Sequence, residues 1–313
     1  MATGSAAGKA ILLGEHAVVY GRPALAVPLS DLRATAEVRP LSKRGGVTIR
    51  AQDLGRSYRL EGRYTEGDAE PLQVTARNAM ERLGVDPAGE DLAIAVRSRI
   101  PIARGLGSGT AVATAMIRAL ARHYGRDLPA SEVSDLVYRT EVILHGTPSG
   151  VDNTVVAFER PVWFRRGAEP ALLALSAPLA LVIADTGVPA NTREAVAAVR
   201  ERRESDPATV DGVFDAIGAL AEEGRAALDE GDRARLGALM SRNHECLRAL
   251  GVSTPALDHL VQAAREAGAL GAKLSGGGRG GCAIALVTAR TRDAVAAAVI
   301  AAGAVQVYAT EVR

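Results

Sequence analysis

The stretch GLGSGTA, residues 105–111, follows the alternating segment DLAIAVRS at 91–98 and precedes a long run of helical period. The alternation predicts a half-buried strand. Val112, Ala115, Met116, Ala119 and Leu120 keep i, i+3, i+4 spacing and predict a helix over 109–124, stopped by Gly125. A glycine-rich turn from strand into helix offers backbone N–H groups and the positive end of the helix dipole to an anion such as phosphate. The same residues also suit an ordinary tight turn capped by Ser108, and spacing alone leaves both readings open.

Outward from this turn, residues 1–60 carry short apolar runs (AILL, ALAV, TAEV, VTIR) set off by Gly, Pro and charges, which predicts strands. A helix fits 69–83. A second helix over 130–145 uses Val133, Leu136, Val137 and Leu144. Strands are predicted at 154–165, 179–185, 282–288 and 305–311, helices through most of 191–268 and over 292–302. Composition shifts near residue 170. This predicts an α+β chain with a β-rich domain at 1–170 and a helix-rich domain at 171–313.

The 313 residues are 48% hydrophobic with a net charge of +1, which fits a packed globular protein and gives no reason to expect nucleic acid or an anionic membrane as partner. An anionic ligand must be drawn by local loops. No apolar stretch has the length of a membrane span, and no signal segment is apparent. The two cysteines, Cys246 and Cys282, make neither a metal-ligand spacing nor a disulfide framework, so a cytoplasmic location is expected. Lysine is confined to Lys9, Lys43 and Lys273, and Lys9 and Lys273 lie close to glycines.

Two more glycine stretches stand out. KLSGGGRGGC, residues 273–282, formally contains a dinucleotide fingerprint at Gly276, Gly278 and Gly281, but a strand follows where that motif needs a helix. It reads either as a hairpin loop or as a ligand loop. GSAAGKA at 4–10 is a P-loop with one spacer residue too few and Ala10 in place of the metal-binding Ser/Thr, so a P-loop ATPase is disfavoured.

Taken with GEHAVVYG (14–21) and HGTPSGVDN (145–153), these stretches resemble, in order, four motifs of the galactokinase/homoserine kinase/mevalonate kinase/phosphomevalonate kinase superfamily, and look most like its mevalonate kinase branch. The resemblance spans nearly the whole chain. It implies a two-domain kinase fold with ATP bound between the domains, and phosphorylation of the 5-hydroxyl of (R)-mevalonate. Phosphomevalonate kinase, a mevalonate 3-kinase or another small-molecule kinase of the superfamily is the alternative. A homodimer is compatible with it.

By the same resemblance Asp152 is the catalytic base and Lys9 its cationic neighbour at the transferring phosphate, a pairing that suits phosphoryl transfer. Ser108 and Glu141 would hold Mg²⁺, a cation that takes oxygen ligands. Gly105, Leu106, Gly107, Ser108, Gly109 and Thr110 would bind ATP with Gly276, Gly277, Gly278 and Arg279. Glu15, His16 and Thr192 would line the mevalonate pocket. Without the resemblance, Asp152 suits a turn, Glu141 a half-exposed helix position, and Thr192 a helix N-cap beside Asn191. Two departures from the family pattern are Gly109, where a second serine is usual, and Arg279, which interrupts a loop of small residues. LVIADTG at 181–187 also looks like an aspartic-protease strand and turn, but with one such motif it would need a homodimer. A nucleotide-binding regulator without catalysis would leave Lys9, Ser108, Glu141 and Asp152 unexplained.

Overall fold

The computed structural model describes residues 1–60, 70–145 and 148–313, and the side chains of 143–145 are not described. Residue 69, the expected start of the first helix, and Gly146 and Thr147 of the HGTPSGVDN stretch lie outside the described residues. In chain order the elements are β1 (Ala2–Leu13), β2 (Ala24–Pro40), β3 (Val47–Ala51), β4 (Arg56–Arg59), α1 (Pro71–Arg82), β5 (Leu92–Ser98), α2 (Ser108–His123), α3 (Ala130–His145), α4 (Val151–Phe158), β6 (Val162–Phe164), β7 (Ala171–Leu172) and β8 (Leu179–Asp185). Then follow α5 (Thr192–Ser205), α6 (Pro207–Asp229), α7 (Arg233–Ala249), α8 (Pro255–Glu266), β9 (Gly271–Ser275), β10 (Cys282–Val287), α9 (Arg292–Ala301) and β11 (Gln306–Val312).

The chain forms two compact units. The first comprises Met1–Gly8, Leu32–Ile100 and Gly107–Glu159; the second comprises Lys9–Asp31, Pro101–Leu106 and Arg160–Arg313. The passage at Glu159–Arg160 falls near the composition shift, while the second unit also takes two early segments, 9–31 and 101–106.

In the first unit, strand order is β4-β3-β5-β2, with β3 parallel to β5 and the other pairs antiparallel. Leu92, Ile94 and Val96 are buried in alternation along β5, as the sequence pattern requires. Helices α1, α2, α3 and α4 pack on one another. The inner face of α2 is largely alanine, and a Cβ on Gly4 of β1 would come within 2.1 Å of the Ala115 carbonyl oxygen, so strand and helix touch by backbone there.

The segment from 154, expected as a strand, is helical as far as Phe158, and only Val162–Phe164 is extended. Its Val and Thr content favours a strand by propensity, which tertiary contacts override. Gly150 enters the helix in the left-handed region at φ 93°, and Val151, Val155 and Val156 are fully buried. Arg33 and Arg118 both bind the Glu159 carboxylate at the end of α4, which fixes that helix.

In the second unit, four antiparallel strands run β11-β8-β10-β9, against which α7, α8 and α9 pack. Phe214, Ile217, Leu247, Leu257, Ile284 and Leu274 are buried here. Strand β9 falls outside the sequence expectations. It pairs Ser275 with Cys282 of β10, so KLSGGGRGGC is a hairpin with its glycines in the connecting loop. Helix α7 lies directly on β9: a Cβ on Gly271 would stand 1.7 Å from the Gly237 carbonyl oxygen. Overpacking a tight contact costs about 1–3 kcal/mol, and this one is against backbone that cannot turn aside. Gly271→Ala should therefore lower unfolding free energy by at least about 2 kcal/mol in urea titrations, and an unchanged midpoint would show that α7 and β9 have room to part.

Candidate active site

In the second unit the loop Pro101–Leu106 is tied down before it carries any ligand. Arg104 Nε is 2.7 Å from Asp185 Oδ1 and donates to Oδ2 at 2.9 Å, and Arg104 Nη2 donates to the Gly187 carbonyl at 3.0 Å. The Gly187 N–H donates back to Asp185 Oδ1 at 2.8 Å. Asp185 is therefore committed to the chain, and LVIADTG is the end of β8 with an ion-paired turn, not half of a protease dyad. The Ala190 N–H donates to the Ala103 carbonyl at 2.8 Å, and the Gly281 N–H to the Val188 carbonyl at 2.8 Å. The start of GLGSGTA and the hairpin KLSGGGRGGC meet here by backbone. A Cβ on Gly105 would lie 2.9 Å from the Ser275 carbonyl oxygen, and Gly105 and Gly276 both have left-handed φ, 77° and 81°. Lys9, buried, donates its own N–H to the Leu106 carbonyl at 2.9 Å.

GEH, residues 14–16, builds a second piece of the same unit. Glu15 is 1% exposed and pairs through Oε1 with Lys273 Nζ, which is 0% exposed. Lys273 also donates to the carbonyls of Leu274 at 2.8 Å and Ile11 at 3.3 Å. Burial pushes the Glu15 carboxyl up, against the attraction of Lys273 and then Lys9. Burial likewise pushes the Lys273 ammonium down, against the pull of Glu15. Lys9 thus acts on both members of the pair.

His16 has φ 61° and ψ −49°, and the Ala17 N–H donates to the Glu15 carbonyl at 2.7 Å across it. This is a γ-turn of the positive-φ form, rare and strained by roughly 1–3 kcal/mol for a side-chain-bearing residue. The His16 Nε2 stands 2.9 Å from the Gly277 carbonyl oxygen. A carbonyl only accepts, so Nε2 carries the proton and Nδ1 is left as an acceptor. Burial holds the ring's pKa down at about 4, with Lys273 and Arg279 adding to that effect against the Gly277 bond. His16 is thereby a fixed neutral hydrogen-bonding group. Thr192 reaches the same glycine: a Cβ on Gly277 would lie 3.1 Å from the Thr192 Cα. Thr192 is the first residue of α5, whose N-cap is Asn191, accepting from the Glu194 N–H at 3.2 Å. Arg279 has φ 57°, donates its N–H to the Val252 carbonyl at 2.7 Å and exposes its side chain.

In the first unit, α2 begins at Ser108 behind Gly107, an N-cap in the left-handed region at φ 73°. Ser108 does not cap the helix. Its Oγ donates to the Ile100 carbonyl at 3.2 Å and lies 3.3 Å from Ser98 Oγ. A Cβ on Gly109 would meet open space, so the missing serine is not excluded by crowding. Thr110 Oγ1 donates to Glu141 Oε1 at 2.5 Å, joining the first turn of α2 to α3. Asp152 lies in the first turn of α4, where the helix dipole favours negative charge. Its neighbour Asn153 donates to Ser134 Oγ at 2.9 Å, which ties α4 to α3. Among the described residues no group of three or more His, Cys, Asp or Glu could hold a metal by itself. One hydroxyl and one carboxylate, Ser108 and Glu141, suit a divalent cation that takes its other ligands from phosphate and water.

The sequence-predicted residues therefore fall into two sets. Gly107, Ser108, Gly109, Thr110, Glu141 and Asp152 belong to the first unit. Lys9, Glu15, His16, Gly105, Leu106, Thr192, Gly276, Gly277, Gly278 and Arg279 belong to the second. Missing from the prediction are Arg104, Asp185, Asn243 and His244, which hold the loops, and Lys273, which its scarcity as a residue type singled out without giving it a partner.

Comparison with known proteins identifies the family. The family model for the GHMP kinases N terminal domain matches residues 72–159, and that for the GHMP kinases C terminal matches residues 225–305. The chain belongs to the GHMP kinase family. Its relatives include the mevalonate kinase of Thermococcus sibiricus, 37% identical over 320 residues that cover 96% of this chain and 93% of that one. Among solved structures, L. major mevalonate kinase in complex with R-mevalonate matches with a TM-score of 0.86 at 30% identity, covering 100% of this chain and 96% of that one. Methanococcus jannaschii mevalonate kinase matches with a TM-score of 0.87 at 26% identity, covering 99% and 98%.

His16 makes stability depend on pH. Its folded pKa of about 4 lies below the ordinary 6.5, so between those values the unfolded chain binds a proton that the folded chain refuses. Stability contributed by the neutral ring is present at neutral pH and lost as pH falls through that window, by about 3 kcal/mol at most. Urea titrations at pH 4.5 and 7 should show a smaller acid loss in His16→Gln than in the parent, by about 2 kcal/mol. Equal losses would contradict a ring buried neutral. Burial also lowers the pKa of His244, which leaves part of the acid slope in the variant.

Proposed function

We propose that this chain transfers the γ-phosphoryl group of ATP to the 5-hydroxyl of (R)-mevalonate, giving 5-phosphomevalonate and ADP. The observation that carries this reading is the 37% identity, over 96% of the chain, to a protein named as a mevalonate kinase. The likeness to phosphomevalonate kinase of Streptococcus pneumoniae, at 17% identity, supports the fold alone.

In this reading the phosphates lie against the two glycine stretches, Gly105–Thr110 and Gly276–Gly278, whose lack of side chains admits a close backbone approach. Ser108 and Glu141 would hold Mg²⁺, which when bound would supply positive charge to the phosphates. Thr110 keeps Glu141 in place. Asp152 accepts the proton of the 5-hydroxyl as its oxygen attacks the γ-phosphorus and the bond to the ADP oxygen breaks. Lys9 stabilises the charge that develops on the phosphoryl oxygens. The Arg279 guanidinium, exposed at the tip of the glycine hairpin, reaches the outer phosphates. His16 offers Nδ1 to a hydroxyl of the acceptor, and Thr192 lines the same pocket. The functional halves are residues 1–170, with the phosphate loop and base, and 171–313, with the glycine hairpin. Cys246 and Cys282 are free thiols, which suits a cytoplasmic enzyme.

A substrate panel of mevalonate, phosphomevalonate, homoserine and galactose with ATP and Mg²⁺, read by mass and NMR of the product, should yield phosphate on the mevalonate 5-oxygen. Asp152→Asn should lower kcat on that substrate by at least about a hundredfold, since general-base contributions run about 10²–10⁴, with ATP affinity retained. Preference for phosphomevalonate, phosphorylation at the 3-oxygen, or near-normal turnover in Asp152→Asn would overturn the assignment.

A further inference from the structure

The strained turn at His16 is bracketed by backbone bonds from the Val18 N–H to the Gly14 carbonyl and from the Val19 N–H to the His16 carbonyl, both 3.1 Å, and side chains from elsewhere in the unit add to them. Gly14, at φ 109°, has no side chain, and a Cβ there would lie 2.5 Å from the Ala24 Cα. Glu15 has its two oxygens committed within the fold. Oε1 is bound by Lys273, and Oε2 accepts from Asn243 Nδ2 at 3.4 Å. A carboxylate that is 1% exposed and bound at both oxygens anchors its own backbone; it is not placed to reach a ligand.

Asn243 closes this arrangement twice. Besides binding Glu15, its Oδ1 accepts from the Gly14 N–H at 3.4 Å, and the residue is 0% exposed. One side chain on α7 thus grips two consecutive residues immediately before His16. The next residue of α7, His244, grips the other partner's strand. Its Nδ1 accepts from the Leu274 N–H at 3.3 Å and its Nε2 donates to Asp258 Oδ1 at 3.1 Å. Leu274 follows Lys273 in β9, so the two neighbours on α7 hold the two ends of the buried ion pair.

We propose that Asn243 is a positioning residue for the acceptor alcohol, acting through Glu15 and Gly14 to keep His16 in its strained turn with its ring against Gly277. This rests on the reading of the chain as an alcohol kinase. Asn243 touches no substrate. Its removal frees the turn to relax, and the ring leaves the position in which Nδ1 meets the acceptor hydroxyl.

The test is a double-mutant cycle of Asn243→Leu with Glu15→Gln, read by the KM values for (R)-mevalonate and ATP, alongside ¹⁵N NMR titration of the His16 ring in the ligand-free protein. In Asn243→Leu the mevalonate KM should rise about tenfold, the loss of about one hydrogen bond to a charged group, while the ATP KM changes less than about twofold. The His16 ring should titrate closer to the ordinary histidine value. The double variant should be no worse than the poorer single one, because both changes cut one linkage. If Asn243→Leu does not fold, Asn243→Asp, which keeps the shape and sets a second acceptor against Glu15, should give the same KM split and ring shift. Unchanged mevalonate KM, additive effects in the cycle, or a His16 titration identical to the parent's would overturn the proposal. The ring titration needs no turnover, so it decides the positioning role even if the substrate assignment fails.

Discussion

Glu15, Lys273 and Lys9 share one buried region of the second unit, and much of the candidate site depends on how their charges are settled. Desolvating a carboxylate and an ammonium costs several kcal/mol each, and mutual attraction returns that only with good geometry and further hydrogen bonds. Here the additional bonds are present, from Lys273 to two carbonyls and from Asn243 to the second carboxylate oxygen. Breaking such a pair from one side costs about 3–5 kcal/mol, whereas a matched apolar pair is often no less stable. Stability alone therefore gives little reason for charges at these positions. Their evident consequence is placement: the pair joins the loop that carries His16 to the strand that runs into the glycine hairpin.

Close backbone contact makes that placement possible. Gly237 and Gly271 let α7 lie on β9, which brings Asn243 and His244 to the ion pair. Gly105 and Gly276 let the two glycine stretches touch, and Arg104 with Asp185 fixes the loop that supplies the first of them. Phosphoryl transfer asks a protein for positioned groups and fixed charges more than for covalent chemistry. The 101–106 loop held by Arg104 and Asp185, and the 14–16 turn held by Glu15 and Lys273, rest on such fixed charges. The His16 ring bonded to the Gly277 carbonyl links the 14–16 turn directly to the glycine hairpin.

Local patterns in the sequence foretold local structure well. The strand at 91–98 and the helix that follows the GLGSG turn appear where period and glycine placed them, because alternation and i, i+4 spacing report which face is buried. The segment from Thr154 misled, since its β-branched residues favour a strand in isolation and only packing on α2 and α3 makes it a helix. Strand β9 was hidden because a five-residue strand beside six loop residues rich in glycine carries little periodic signal. Among site residues, those within glycine or GEH motifs were legible by resemblance. Asn243 and His244 were not: they sit in a charged helix, and the bond from Asn243 to Glu15 spans 228 residues of sequence. Arg104 and Asp185, 81 apart, were concealed for the same reason, and the DTG turn invited a hydrolytic reading that its ion pair removes.

The direct test of a pair kept for position is the turnover of (R)-mevalonate by the double variant Glu15→Leu, Lys273→Met, in which both charges give way to apolar groups of similar size. If the buried pair serves placement, this variant folds with stability near the parent's and its turnover falls at least about tenfold, since about 1.4 kcal/mol of lost transition-state binding is tenfold. Turnover equal to the parent's in the folded double variant would contradict the role assigned to the pair.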